Sequence, residues 1–146
     1  MESSSNITPN NNVVMPDFKD SKYATGRRKK SIAKVWLKRG SGNIFVNGKK
    51  ISDYFKKKNL QISIYRPLSI TKRENEFDVR CAVKGGGLTG QAGAIIHGLS
   101  RAIILFEPEL KPTLKKEKLT TRDSRAVERK KYGRRKARRS FQFSKR

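Results

Sequence analysis

The sequence predicts a single compact α/β domain of the α+β kind, with an extended basic tail behind it. Three observations carry this. Short runs rich in strand formers, punctuated by Gly and Asn turns, fill residues 31–83. One apolar stripe at helical spacing follows, from about Gln91 to Phe106. Charge is placed unevenly: the net +24 comes mostly from residues 22–60 and 111–146, while residues 61–110 hold six bases against five acids. A near-neutral middle between two basic stretches reads as packed core flanked by a polyanion-binding surface.

Residues 1–21 are Ser/Asn-rich, with two prolines and little to bury, and read as a disordered extension. They lack the apolar run of a signal peptide and the arginines of a transit peptide. Structure is expected to begin near Tyr23. Ser31 to Leu37 reads as a strand, Gly40-Ser41-Gly42 as a turn, and Asn43 to Val46 as a second strand, together an antiparallel hairpin. Ser52 is placed to cap a short helix through Asp53-Tyr54-Phe55. A third strand is expected from Ile62 to Ser69, edged by Pro67. Glu76 to Val83 alternates cleanly, so Phe77, Val79, Cys81 and Val83 should face the core, with Asp78 and Arg80 outside.

In the long helix, Ala92, Ile95, Ile96, Leu99, Ala102, Ile103 and Phe106 form the apolar stripe, with His97, Ser100 and Arg101 on the polar side. Pro108 and Pro112 end it. A second short helix is expected after Thr120–Asp123, with Arg125, Arg129 and Lys130 exposed. The division is therefore 1–21 extension, 22–128 α/β domain and 129–146 extended tail.

Enzymatic chemistry finds little support. Gly85-Gly86-Gly87-Leu88-Thr89-Gly90 satisfies G-x-G-x-x-G between a strand and a helix. A dinucleotide site would also need a second parallel strand after the helix carrying an acid for the ribose. Here Glu107, Pro108, Glu109 and a basic tail follow instead. The glycines read better as a tight turn, with exposed N–H groups able to hold an RNA phosphate at the helix start. One histidine cannot build an ordinary His-based metal cluster, and one cysteine cannot form an intrachain disulfide. Cys81 is expected to be a small buried hydrophobe. No cofactor, metal, catalytic residue, small-molecule substrate or membrane is expected.

Binding chemistry is far better represented. Arg27-Arg28-Lys29-Lys30 lies directly before a strand, with too few acids nearby to balance it, and suits phosphate contact. Residues 129–146 hold ten Lys or Arg and no acid: Arg129, Lys130, Lys131, Arg134, Arg135, Lys136, Arg138, Arg139, Lys145 and Arg146. Tyr132, Phe141 and Phe143 are interspersed, a mixture suited to folded RNA, where phosphates and unstacked bases occur together. On charge alone a DNA-binding tail would look similar, so a nucleic-acid chaperone or architectural DNA binder stays open at this point.

Three stretches narrow the choice: G-R-R-K-K-S-I-A-K-V-W at 26–36, G-G-G-L-T-G-Q-A-G-A-I-I-H-G-L-S-R-A-I at 85–103, and Y-G-R-R-K-A-R-R-S-F-Q-F-S-K-R at 132–146. Over residues 22–146 the chain resembles the ninth protein of the small ribosomal subunit, in its bacterial or organellar form. That resemblance implies a mostly antiparallel sheet with helices packed on it and a left-handed crossover. It implies a non-enzymatic role on the 3′ major domain of the ribosomal RNA, in the subunit head, beside neighbouring ribosomal proteins. By motif, Arg27 to Lys30, Gly85, Gly86, Gly87, Gly90 and Gln91, and the tail bases from Arg129 to Arg139 are implied RNA contacts. Lys145 and Arg146 are implied to approach the peptidyl-site tRNA. The bacterial-type character favours a bacterial cytoplasm, with an organellar ribosome as the alternative. The chain departs from the pattern in its first 21 residues, and at Ser124 and Ala126, where Pro and a larger apolar residue are more usual.

Overall fold

A computed structural model describes residues 17–144. Its elements run β1 (Lys22–Arg28), β2 (Ser31–Arg39), β3 (Ile44–Val46), β4 (Lys49–Lys50), α1 (Ile51–Tyr54), α2 (Lys58–Thr71), β5 (Phe77–Lys84) and α3 (Leu88–Phe106). A 3-10 turn (Pro108–Leu110) and α4 (Lys111–Lys116) follow. One mixed sheet has the order β1-β2-β5-β3-β4, antiparallel except for the β3–β5 pair.

Alternation decides which face is buried. Ala33, Val35 and Leu37 of β2, and Phe77, Val79, Cys81 and Val83 of β5, point to one side and are buried. The α3 stripe lies on them: Ala92, Ile95, Leu99, Ala102 and Ile103 are buried in the same core. Helix α3 crosses β1 and β2 so closely that their backbones nearly touch. A methyl group at Gly26 would run into the Ala94 carbonyl, and one at Gly98 would stand 2.8 Å from Val35. Glycine at these two places is what allows the helix to sit down on the sheet.

The expected hairpin of β2 with β3 does not form. β5 lies between them, and the Gly40–Asn43 loop instead wraps over the start of β5. There the Asp78 carboxylate accepts the N–H groups of Ser41 (3.0 Å) and Asn43 (2.9 Å). The hairpins that do form join β1 to β2 through the two-residue turn Lys29-Lys30, and β3 to β4 through Asn47-Gly48.

The expected strand at Ile62–Ser69 is helix α2. Ile64, Pro67, Leu68 and Thr71 are buried at helical spacing, and Ile62, which completes an apparent alternation with Ile64, is 68% exposed. Pro67 lacks the N–H that would reach the carbonyl one turn back, yet packs into the core. The helix closes with Lys72 in the left-handed region (φ 56°) and Arg73 N–H returning to the Leu68 carbonyl at 2.9 Å.

Three smaller expectations also change. Helix α1 starts at Ile51, and Ser52 does not cap it. Ser100 is fully buried, its hydroxyl donated to the Ile96 carbonyl within the helix. Among the described residues no helix forms after Thr120: the short helix lies earlier, as α4, with Pro112 in its first turn rather than ending α3. Among the described residues no helix is long and apolar enough to cross a membrane.

Candidate nucleic-acid interface

Two motifs far apart in sequence meet at one end of the molecule. Pairing of β2 with β5 brings Ile32 opposite Lys84, so the β1–β2 turn sits beside the glycine loop that leaves β5. Gly85 (φ 75°) and Gly86 (φ 63°) both lie in the left-handed region. A side chain at Gly85 would stand 2.6 Å from the Lys30 carbonyl, whereas Gly87 faces open space. The loop is pinned from below. Its Gly85 carbonyl accepts the Ser31 hydroxyl (3.0 Å) and the Gln91 side-chain amide (3.1 Å). Gln91 in turn accepts the Tyr54 hydroxyl at 2.7 Å. Asn47 extends this chain, exchanging two bonds with the Val83 backbone and reaching Tyr54. Gln91 therefore shapes the loop from inside, and its side chain is almost entirely buried.

Above this floor lies a groove of about 470 Å³, lined by Lys29, Lys30, Gly86, Gly87, Thr89 and Val127, among others. The first N–H groups of α3 open toward it without an intrahelical acceptor, and the helix dipole adds positive potential there. Lys29 and Lys30 are exposed. Together these groups can hold a phosphate oxygen by backbone donors and by flexible ammonium charges at once.

The four bases of the lead-in are not equivalent. Arg27 is exposed, and its backbone N–H is donated to His97 Nδ1 at 3.2 Å. Arg28 packs against Gly93 of α3, and a buried guanidinium nitrogen meets the Asp123 carboxylate. Arg28 is thus committed inside the protein, while its three neighbours remain open to an anion. Asp123 also binds Arg125 at 2.8 Å. Hydrogen bonds from Arg125, then the charges of Arg125 and Arg28, hold its carboxyl far below the usual range.

These contacts also route the basic segment. Leu119 is buried beside Leu114, its N–H bonded to the Leu114 carbonyl at 3.1 Å. The Thr120 backbone engages His97, Asp123 meets Arg28, and Ala126 and Val127 reach the groove at the glycine loop. The chain so returns along α3 from its middle to its N-terminus. His97 is the clasp. Burial and the nearby charges of Arg101 and Arg122 push its pKa below the ordinary 6.5, against a smaller opposing effect of the Thr120 backbone bond. His97, expected on the polar side of the helix, is half-buried there and accepts the Arg27 N–H.

Beyond Val127 the described bases Arg129, Lys130, Arg134, Arg135, Lys136, Arg138 and Arg139 are exposed, and Lys131 is half-buried. Arg138 and Lys131 pair with Glu128, the last acid of the chain, at 3.0 and 3.6 Å. Tyr132, Phe141 and Phe143 are exposed aromatic rings. Lys145 and Arg146 lie outside the described residues, as do residues 1–16 of the extension. Cys81 is buried, and desolvation pushes its thiol up to about 12. Among the described residues no cluster of His, Cys, Asp or Glu is arranged to hold a metal.

An α/β scaffold that gathers a basic turn, a glycine loop and the entry to a basic tail at one end has the build of a nucleic-acid-binding protein. The family comparison makes this specific. The family described as "Ribosomal protein S9/S16" matches residues 26–146, and the chain belongs to that family. Membership gives it a ribosomal location and a structural, non-catalytic, RNA-binding role in translation.

Proposed function

We propose that this protein binds the 3′ major domain of the small-subunit ribosomal RNA, in the subunit head. The observation that carries the reading is the convergence of Lys29, Lys30, the Gly86–Gly90 loop and the entry to the tail on one groove. Backbone donors at that groove fix position, and the tail from residue 129 onward supplies phosphate contacts in number. The folded part, 22–128, carries recognition, while 129–146 orders on RNA and 1–21 is an appendage to both. Arg27, Lys29 and Lys30 are the direct contacts of the lead-in. Arg28 and Gln91 act by holding the tail and the loop in place.

The tail is directed toward the peptidyl site, where Lys145 and Arg146 approach the tRNA, and the domain is flanked by neighbouring head proteins. The connection from β3 through α1 and α2 to the parallel β5 is the left-handed crossover that the family resemblance implies. The ribosome is that of a bacterial cytoplasm, with an organellar ribosome as the alternative.

The test is binding of the full chain and of a 1–128 truncation to that RNA domain and to unrelated structured RNA of equal length, across salt. A preference for the ribosomal domain that survives truncation, with weaker affinity and a shallower salt slope, supports the reading. Equal binding of both RNAs at every salt overturns it in favour of a general nucleic-acid chaperone.

A further inference from the structure

Helix α3 packs on one side of β1, β2 and β5. Residues of β1, β2 and β5 that alternate with the buried set point away from α3, and aromatic and basic side chains predominate among them, beside Thr25, Ile32, Ala82 and Asp78. Pairing aligns Tyr23, Trp36 and Arg80 in one row across three strands. The Tyr23 and Trp36 rings lie 5.3 Å apart at 44°, and the Arg80 guanidinium stands 5.5 Å from the Trp36 ring centre. Tyr23 is 44% exposed, and its hydroxyl is tied to Thr25 at 2.9 Å, which fixes the ring on the edge strand.

Charge on this face is mostly positive. Lys34 follows one row along, and Arg27 and Lys84 one row further, each step roughly 6.6 Å. Asp78 is the one acid that β1, β2 and β5 place on this side, and its carboxylate is taken up by the Ser41 and Asn43 N–H groups. The face is therefore a cationic surface with an aromatic row at one end. A protein partner seated on it would have to supply the balancing acids. A duplex offers phosphates but keeps its bases stacked away from the rings. Unpaired RNA meets both demands, with π-faces for Tyr23 and Arg80 and phosphates for the lysines.

We propose that the open face of β1, β2 and β5 is a second RNA-contact surface, on which unpaired bases stack at the Tyr23–Trp36–Arg80 row. Lys34, and Arg27 with Lys84 beyond it, hold the phosphates that follow. This rests on the RNA-binding reading above and adds a site on the side of the sheet away from α3, distinct from the groove at the glycine loop.

Trp36 is the only tryptophan, so its fluorescence reports on this face alone. The full-length protein is titrated with unpaired oligoadenylate, with an RNA duplex of equal length, and with the folded 3′ major domain. Oligoadenylate is expected to quench Trp36, and the duplex, held by the tail, to leave it unchanged. Tyr23→Ser and Arg80→Ser should each weaken oligoadenylate binding about tenfold, the scale of one lost stack, with circular dichroism and melting as in the parent. A photo-cross-linking residue in place of Thr25 should attach to RNA in assembled subunits. Absence of quenching by oligoadenylate, unchanged affinity in Tyr23→Ser, or cross-links to a protein would overturn the proposal. Preference for the ribosomal domain without a Trp36 response removes this face and leaves the proposed function standing. Quenching without that preference does the reverse.

Discussion

At the residue scale, the positions that matter most are those where a side chain has no room or no alternative partner. Gly26 and Gly98 lie where β1 and α3 touch, and no rotamer relieves a methyl group directed at the Ala94 carbonyl. Gly26→Ala should cost about 3 kcal/mol, the upper range for overpacking, read as a lower midpoint in chemical denaturation. Gly87→Ala, which meets open space, should cost far less and serves as the control. Cys81 gives a second prediction. With its thiol pushed up to about 12 and its side chain buried, alkylation of the folded protein should proceed only through unfolding. Its rate should therefore rise with denaturant in step with the unfolded fraction, and a rate equal to that of a free thiol in native buffer would contradict it. The polar floor of the glycine loop is a third. Tyr54→Phe removes the donor to Gln91 and should cost about 1 kcal/mol, with the loop's backbone amides exchanging faster.

Between elements, the contacts that steer the basic segment depend on pH in a way that can be worked out. His97 accepts from the Arg27 N–H through Nδ1, so it must be neutral there, and its folded pKa is depressed. The unfolded chain then takes up the proton first. Stability from His97 is present above the ordinary value of 6.5 and is lost as pH falls through the folded value. Denaturation midpoints should decline from pH 7.5 to 5.5, and His97→Gln should flatten that decline. Asp123 behaves likewise at far lower pH, so its pair with Arg28 survives this range. None of these links was legible in the sequence, because Arg28 and Asp123, or Arg27 and His97, are neighbours only after folding. The elements themselves were legible where periodicity was clean: β5 from its alternation, α3 from its stripe. Helix α2 was not, since Ile62, Ile64 and Tyr65 mimic a strand and exposed Ile62 carries no packing. The place of β3 was hidden for another reason. Strand order depends on β5, which arrives only after two helices, and local turn chemistry at Gly40–Gly42 cannot reveal it. The basic turn and the glycine loop were each visible as motifs, but their meeting is a product of sheet pairing.

For the whole molecule, a net charge of +24 on 146 residues sets the terms of association. The folded core keeps its charges partly paired, as in Arg73 with Glu76 and Glu107, and in Arg66 with Glu117. The tail has almost no such partners, with Glu128 alone serving Lys131 and Arg138. Affinity and specificity should then separate by region. Each phosphate neutralised releases counterions, contributing roughly 0.7 to 0.9 to the slope of log affinity against log salt. Charge removal in the tail, as in Arg134→Gln with Arg135→Gln, should lower that slope by about 1.4 to 1.8 and weaken binding to ribosomal and unrelated RNA alike. Removal at the groove, Lys29→Gln with Lys30→Gln, should change the slope by a similar amount. There, however, the charges lie beside fixed backbone donors of the loop and α3, so the loss should fall mainly on the ribosomal domain. Filter binding of both variants to both RNAs at several salt concentrations separates the two effects. If the groove variant loses the two RNAs equally, the glycine loop contributes geometry to the fold and none to recognition.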